Sequence, residues 1–458
     1  MLTEYVFTLI VLLICFYNFY WKRRGLPPGP IPFPLIGNIH QISQPQYNVW
    51  TRKYGPIYTY WMGEMAIVSV NDVAVIHDAF VKNGDDYAGR AQIHELLEIV
   101  KHGDHGIIFS EGQLWRGQRR FTLQVFRNFG FGKNIMQEQI LDEFVDLKVE
   151  VADAAKQGAM VDMKGVIDLA VANIINNLLF GFRYKGERRH EFEDDKKLIM
   201  EVVTHFGSLF GMIFMHKAHI FKHVPILSSA YAKMVDDRDR LKDQLYGCHF
   251  DLWSAGQETT STTLGWACIY LIKNPEAQQK LQAELDHVIG SDRLIRCEDK
   301  PQLNYLNAIV AETQRLSNIV PQNLLHRTLA DVEIAGYKLP KHTVITHMIS
   351  SVMYDERYFP DPMAFKPERF LTPDGNYISS PALMPFGVGK RACLGESMAK
   401  MELFLILANT FNHFSLSEDK HHPISTFRTV GGTVPPPDFK CRVQLRLEKN
   451  NKLANTIQ

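Results

Sequence analysis

Read as apolar and polar positions, the chain begins with a run from Tyr5 to Trp21 in which no residue is charged, bounded by Glu4 and by Lys22-Arg23-Arg24. That length lies near the lower limit for crossing a bilayer as a helix. Positive charge follows the run, no small-x-small cleavage site appears, and Phe16, Tyr17, Phe19, Tyr20 and Trp21 crowd the basic end as interfacial aromatics do. The pattern predicts an uncleaved signal anchor, not a cleaved signal peptide, with everything beyond residue 24 on the cytosolic side. Leu26-Pro27-Pro28-Gly29-Pro30-Ile31-Pro32-Phe33-Pro34 follows. Its prolines fix φ and withhold donors, which makes a stiff, extended connector.

Beyond it the periods change. Ile57–Trp61 and Ala66–Val70, joined through Gly63, read as a hairpin, and His326–Thr346 reads as a second strand region. Helical spacing governs Glu138 to about Ala155, Lys164–Leu179, Leu252–Ile272, Asn304–Ser317 and an apolar helix from Glu396 to about Phe411. His205–Pro225 is rich in Phe, Met and Gly, including Phe206, Phe210, Met212, Phe214 and Met215. This suits either an adaptable apolar lid or a segment dipping into a membrane surface. The expectation is a mostly α fold with a smaller β-rich part.

Composition narrows the function. With 458 residues, 46% hydrophobic and without a low-complexity divider, one large domain is expected after the anchor. Fifty basic residues balance fifty acidic ones, which argues against a nucleic-acid binder. Six cysteines are scattered without CxxC pairs and there is no Asn-x-Ser/Thr sequon, so neither a disulfide framework nor a structural zinc site is indicated. His102 and His105, three apart and without further ligands, are read as loop residues.

Chemistry concentrates in Pro385-Phe386-Gly387-Val388-Gly389-Lys390-Arg391-Ala392-Cys393-Leu394-Gly395. Gly387 and Gly389 permit a tight loop, Phe386 can shield one side of a sulfur, Arg391 adds a cation, and Gly395 leaves bare backbone against which a flat cofactor can lie. The N–H groups opening the next helix lower the basicity of a thiolate. Trp115 and Arg119 stand four apart on one helical face, both able to donate to an acid. In Leu252–Ile272, Ala255-Gly256 clears space and Glu258-Thr259 places an acid beside a hydroxyl in an apolar helix, a serine/threonine kink being the plainer reading. Glu312 and Arg315, three apart, can pair.

Phe386 to Gly395 resembles the haem-binding signature of the cytochrome P450 superfamily. The resemblance implies that fold, with a haem domain in which Cys393 is the axial thiolate of haem b. It also implies that Arg90, Trp115, Arg119, His326 and Arg391 meet the haem propionates, and that Phe386, Gly389 and Gly395 shape the cofactor loop. Thr259 and Glu258 would govern proton delivery on the oxygen side, and Glu312, Arg315 and Arg369 would form a buried structural triad. Thr429–Val434 resembles a turn lining the substrate pocket. The implied activity is membrane-anchored monooxygenation of a lipophilic molecule at the endoplasmic reticulum, single-pass and facing the cytosol. Its implied partners are an NADPH–cytochrome reductase, which carries the flavins, and a cytochrome b-type donor. No phosphate-binding loop or Gly-x-Gly-x-x-Gly is present, so electrons come from outside. Lys390, Lys400, Arg116 and Arg120 are candidates for the docking face, solvated charge being the alternative.

The expected organisation is an anchor at 1–24, a hinge at 25–38 and a haem-thiolate domain at 39–458. One departure interrupts it: Asp236–Lys242 runs straight into Asp243–Cys248, where the resembled family has a few dozen more residues, so a segment is missing near 242/243. A shortened gene model, a splice form and a compact variant all fit. Two other functions stand beside the monooxygenase: a haem isomerase without external electrons, and a ligand-binding protein without turnover.

Overall fold

Nothing in the charge-free N-terminal run competes with helix formation, and it folds as α1 (Leu2–Phe19), with Phe7, Leu9, Leu12 and Leu13 all exposed. Such a bare apolar helix is suited to lipid. The computed structural model describes residues 2–128, 134–214, 218–242, 248–428 and 432–446. Across them the fold is mostly helical with small sheets.

The basic cluster after α1 makes contacts of its own. Lys22 Nζ lies 3.4 Å from Glu64 and 4.6 Å from the centre of the Trp61 ring. Arg23 donates to the Gly29 carbonyl (3.0 Å), and Asn18 to the Pro32 carbonyl (2.5 Å). The proline connector is itself fixed, since Thr59 N donates to Pro28 O. Charge, ring and backbone contacts together tie the anchor to the body.

β1 (Ile57–Met62) and β2 (Met65–Val70) form the expected antiparallel hairpin, with Trp61 opposite Ala66. β3 (Gly89–Arg90), β4 (His326–Arg327) and β5 (Val344–His347) complete a sheet of order β1-β2-β5-β4-β3. Its β2–β5 pairing is parallel, and its β3–β4 register sets Arg90 against His326. Two smaller hairpin-like sheets pair Val332–Ile334 with Tyr337–Leu339 and Phe414–Ser417 with Arg442–Leu445.

The helices that place the site are α2 (Gly112–Asn128), α3 (Asn134–Lys156), α4 (Met163–Phe180), α5 (Arg189–Gly207), α6 (Pro225–Lys242), α7 (Cys248–Lys273), α8 (Asn304–Ser317) and α9 (Glu396–His413). α7 is central and packs on α4, α8 and α9. Every residue of α7 from Thr260 to Ile272 is buried, and the part from Leu264 on is apolar on all sides, as full burial of a helix requires. α4 is long and apolar enough to span a membrane, yet most of it is buried, so it is a core helix. Phe144, Trp253, Trp266, Phe404 and Phe411 fill the space between these helices.

The Phe- and Met-rich region breaks into the end of α5 and two short helices, Leu209–Phe214 and Ala218–Phe221. Phe214 is buried, whereas Phe210, Ile220 and Val224 are exposed. Met215 and the side chains of Phe206 and Met212 lie outside the described residues, as do residues 243–247 at the shortened junction and Thr429, Val430 and Gly431 of the C-terminal turn.

Candidate functional site

Two left-handed glycines give the cysteine loop its shape: Gly387 at φ +66° and Gly389 at φ +80°. A Cβ on Gly389 would stand 1.9 Å from the Phe80 carbonyl oxygen, so only glycine fits there. The loop closes where Cys393 N–H donates to Phe386 O (2.9 Å), and α9 starts three residues after the cysteine. Cys393 is exposed on the open side, and a Cβ on Gly395 would also point into open space. Burial raises the Cys393 thiol pKa, while an N–H bond from Gly395 and the charge of Arg119 oppose the rise. The lowering expected from the helix start is present but outweighed. A metal ion bound here would supply the charge needed to hold this sulfur as thiolate.

Beside the loop lies a group of buried cations. The Arg391 guanidinium stacks 3.8 Å above the Trp115 ring, and Arg119, one turn on, lies 6.0 Å from the same ring. Arg90 donates to Ile108 O (2.8 Å), Arg391 to Ala88 O (2.8 Å) and Ser110 O (2.7 Å), and Arg119 to Ala392 O (2.8 Å). Burial, reinforced by mutual repulsion, pulls Arg90 down to about 10 and Arg391 to about 8, and burial lowers Arg119 as well. His326 is held well below its usual pKa by burial and by Arg90. Its Nδ1 contacts Tyr87 O, while its buried Nε2 has no hydrogen-bond partner. The acid that acts on this group, Glu111, is already paired with Arg327 at 2.9 Å. Buried charges need partners. Buried Arg90 and Arg391 with half-buried Arg119 therefore fit an anion with more than one carboxylate, as haem has, and such an anion would favour the protonated His326 whose Nε2–H could donate to it.

α7 forms the facing wall. Leu252 packs in a small cluster with Trp115, Ile107 and Leu394, and Ala255 and Thr259, three and seven residues on, share its face. Thr259 Oγ1 donates to Ala255 O (2.6 Å). Glu258 turns elsewhere: it accepts from Thr262 (3.2 Å), and its carboxyl is raised by burial and by Asp168 of α4, with Lys196 and Lys164 opposing. Gly256 also departs from expectation. A Cβ there would stand 3.1 Å from Ile175, so this glycine serves the approach of α4, and Ala255 is the small residue at the cleft.

Glu312 and Arg315 are wholly buried. Arg315 Nε and Nη2 donate to the Glu312 carboxylate at 2.7 and 2.8 Å, Arg369 Nε at 3.1 Å and Lys366 N at 2.9 Å. The triad clamps the Pro367–Phe370 turn onto α8. On the candidate docking face, Lys390 and Arg116 both approach Asp85 (3.2 and 3.5 Å) and Lys400 pairs with Glu396 (2.6 Å), while Arg120 is exposed. His102 and His105 belong to no metal-holding group among the described residues.

Three features escaped the sequence reading. Asp251 of α7 takes Lys101 Nζ (2.8 Å), Ile107 N (2.7 Å) and Ile108 N (3.0 Å). It thereby holds by its N–H groups the loop whose carbonyls bind Arg90 and Arg391. His347, buried and pulled down to about 3, contacts the Asn323 amide (2.8 Å) beneath Gly387. Glu402 is buried in α9; its one sequence signal is an acid heading the apolar run Leu403–Ala408.

The cytochrome P450 family model matches residues 27–247 and again 227–443. The chain belongs to the cytochrome P450 family. It is 32% identical to cytochrome P450 2C16 of Oryctolagus cuniculus over 469 residues, covering 92% of this chain and 96% of that one. To cytochrome P450 2C8 of Homo sapiens it is 32% identical over 464 residues (92% and 94%), and to 2E1 of Oryctolagus cuniculus 31% over 466 (91% and 94%). This P450 is thus a haem-thiolate monooxygenase. Residues 227–247, which include most of α6, fall in both family matches. The alignment with 2C16 is also longer than the whole chain, so that relative carries residues without counterpart here.

Proposed function

We propose that Cys393 is the axial ligand of haem b, and that Arg90, Trp115, Arg119, His326 and Arg391 hold its propionates. Phe386, Gly389 and Gly395 shape the loop below the ring. The observation that carries this is the cluster of buried guanidiniums and the orphaned His326 Nε2 beside an exposed cysteine sulfur. Haem held there would supply the dioxygen chemistry, in which one oxygen atom enters the substrate and the other leaves as water with two electrons and two protons. The chain's own residues do the rest: α7 walls the cleft, Ala255 leaves room in it, and Thr259 presents a hydroxyl that can pass a proton. Glu258, on the adjacent face and with its carboxyl pKa raised by burial and by Asp168, is the acid paired with Thr259 in proton delivery. Glu312, Arg315 and Arg369 lock the core behind.

In this reading electrons come from an NADPH-dependent flavoprotein reductase, with a cytochrome b-type protein as second donor, at a face that includes Arg116, Arg120, Lys390 and Lys400. The substrate is a lipophilic small molecule, consistent with the apolar lid. Residues 1–24 anchor the protein in the endoplasmic reticulum membrane, 25–38 are the hinge, and 39–458 form the catalytic domain on the cytosolic side, lacking a segment near 242/243. Both the double family match around 227–247 and the short link between α6 and α7 support that gap.

Three experiments test this. The reduced, carbon-monoxide-treated protein is expected to show the thiolate-shifted Soret band, and its absence would sink the enzyme reading. Thr259→Ala is expected to lower product formed per reducing equivalent by about 10-fold or more while leaving that band in place, because a positioned proton-transfer group contributes at least that much. Unchanged coupling would remove Thr259 from the mechanism. Deleting residues 2–24 is expected to shift the protein from the membrane pellet toward the soluble fraction.

A further inference from the structure

His347 is polar where the chain could carry an apolar residue: it ends β5, within the run Val344-Ile345-Thr346-His347-Met348-Ile349, and is 0% exposed. A buried imidazole is costly unless it is hydrogen-bonded. Burial, with Arg90 adding to it, pulls this one down to about 3, so at pH 7 the ring is neutral and one nitrogen is bare. The Asn323 side chain supplies the bond. Its Oδ1 accepts from Leu324 N (2.9 Å), which turns its Nδ2 toward the ring, 2.8 Å from His347 Nε2. Both partners are fixed from behind: Asn323 O accepts from Thr346 Oγ1 (3.1 Å), and β5 lies between β2 and β4.

This pair lies beneath the cysteine loop. A Cβ on Gly387 would stand 3.4 Å from both Asn323 Nδ2 and His347 Nε2. The Phe80 ring packs edge-on against His347 with centres 4.8 Å apart, and the Phe80 carbonyl is the group that excludes a side chain at Gly389. Both left-handed glycines of the loop therefore rest on one connected floor made by Asn323, His347 and Phe80. Phe386, next to Gly387, carries the carbonyl that accepts the Cys393 N–H, so a rotation at Gly387 moves the cysteine.

We propose that Asn323 and His347 are positioning residues for the iron ligand: their hydrogen bond holds the floor on which Gly387 turns, and thereby sets where the loop presents the Cys393 sulfur. The inference rests on the assignment of Cys393 given above.

His347→Leu, Asn323→Ala, the double variant and His347→Gln test it in full-length holoprotein. The reduced, carbon-monoxide-treated protein is followed as its thiolate-shifted Soret band decays to the unshifted one. Each variant is read at the same interval below its own unfolding midpoint, which removes the effect of general destabilisation. His347→Leu and Asn323→Ala are each expected to speed the decay several-fold, and to speed amide hydrogen exchange in a peptide covering residues 385–395 of the ferric protein. The double variant should be no faster than either single one, as coupled residues require. His347→Gln keeps an acceptor for the Asn323 amide and is expected to restore both rates. If His347→Leu does not load haem, Asn323→Ala, at a half-buried position, and His347→Gln decide. Decay and exchange at the unaltered rates in His347→Leu or Asn323→Ala overturn the proposal. So does a Gln variant as fast as the Leu variant, which would leave His347 an ordinary core side chain. Failure of the Cys393 reading is distinct: there the unaltered protein itself shows no thiolate-shifted band.

Discussion

Replacing Cys393 with serine is expected to abolish the thiolate-shifted Soret band and to reduce turnover below detection, while the protein still folds. The hydroxyl fits the sulfur's space, and the backbone bond from residue 393 N–H to Phe386 O does not involve the side chain. What is lost is the soft, electron-rich donor that favours O–O cleavage at haem iron. The thiol is raised by burial, so the thiolate depends on a cation close by. An alkoxide, far more basic than a thiolate, would not form in the same place. Cys248→Ser, at the start of α7, is the control: its band should be that of the unaltered protein. A normal band in Cys393→Ser would assign the ligand elsewhere.

The cysteine loop was legible because its constraints are local: two positive-φ glycines and a helix start are written in consecutive residues. The Asn304–Ser317 helix and the Ile57–Val70 hairpin were legible for the same reason, since a buried face imposes its period directly. What escaped depends on pairs distant in sequence. Asp251 meets the N–H groups of Ile107 and Ile108 across more than 140 residues. No periodicity encodes such meetings. Glu258 is a different case. Consecutive residues on a helix point about 100° apart, so an acid next to Thr259 could not share its face. Gly256 was read as space for a ligand because a glycine shows that something comes close, but not what; here it is Ile175.

Removing one partner of the Glu312–Arg315 pair is expected to do more damage than any substitution in the cleft, and of another kind. Both side chains are 0% exposed, so Glu312→Ala leaves the Arg315 cation without its carboxylate in the core, at a cost of about 3–5 kcal/mol. Lys366 N and Arg369 Nε lose the same acceptor, which frees the Pro367–Phe370 turn from α8. Set against a total stability of about 5–15 kcal/mol, that loss is large. The expected result is little or no haem-loaded protein, measured as carbon-monoxide-reactive haem per polypeptide, with aggregation of the remainder. Arg369→Ala should be milder, because the buried Glu312 carboxylate keeps both hydrogen bonds from Arg315 and the one from Lys366 N. A lost hydrogen bond to a charged group costs about 1.5–3 kcal/mol, so part of the population should still load haem, with a lowered unfolding midpoint. That order, Glu312 and Arg315 severe and Arg369 intermediate, follows from what each loss leaves unpaired in the core. Glu312→Ala protein that loads haem normally would show that the pair does not hold the fold, and a shift in product pattern in Arg369→Ala at full haem content would move the triad from core to substrate pocket.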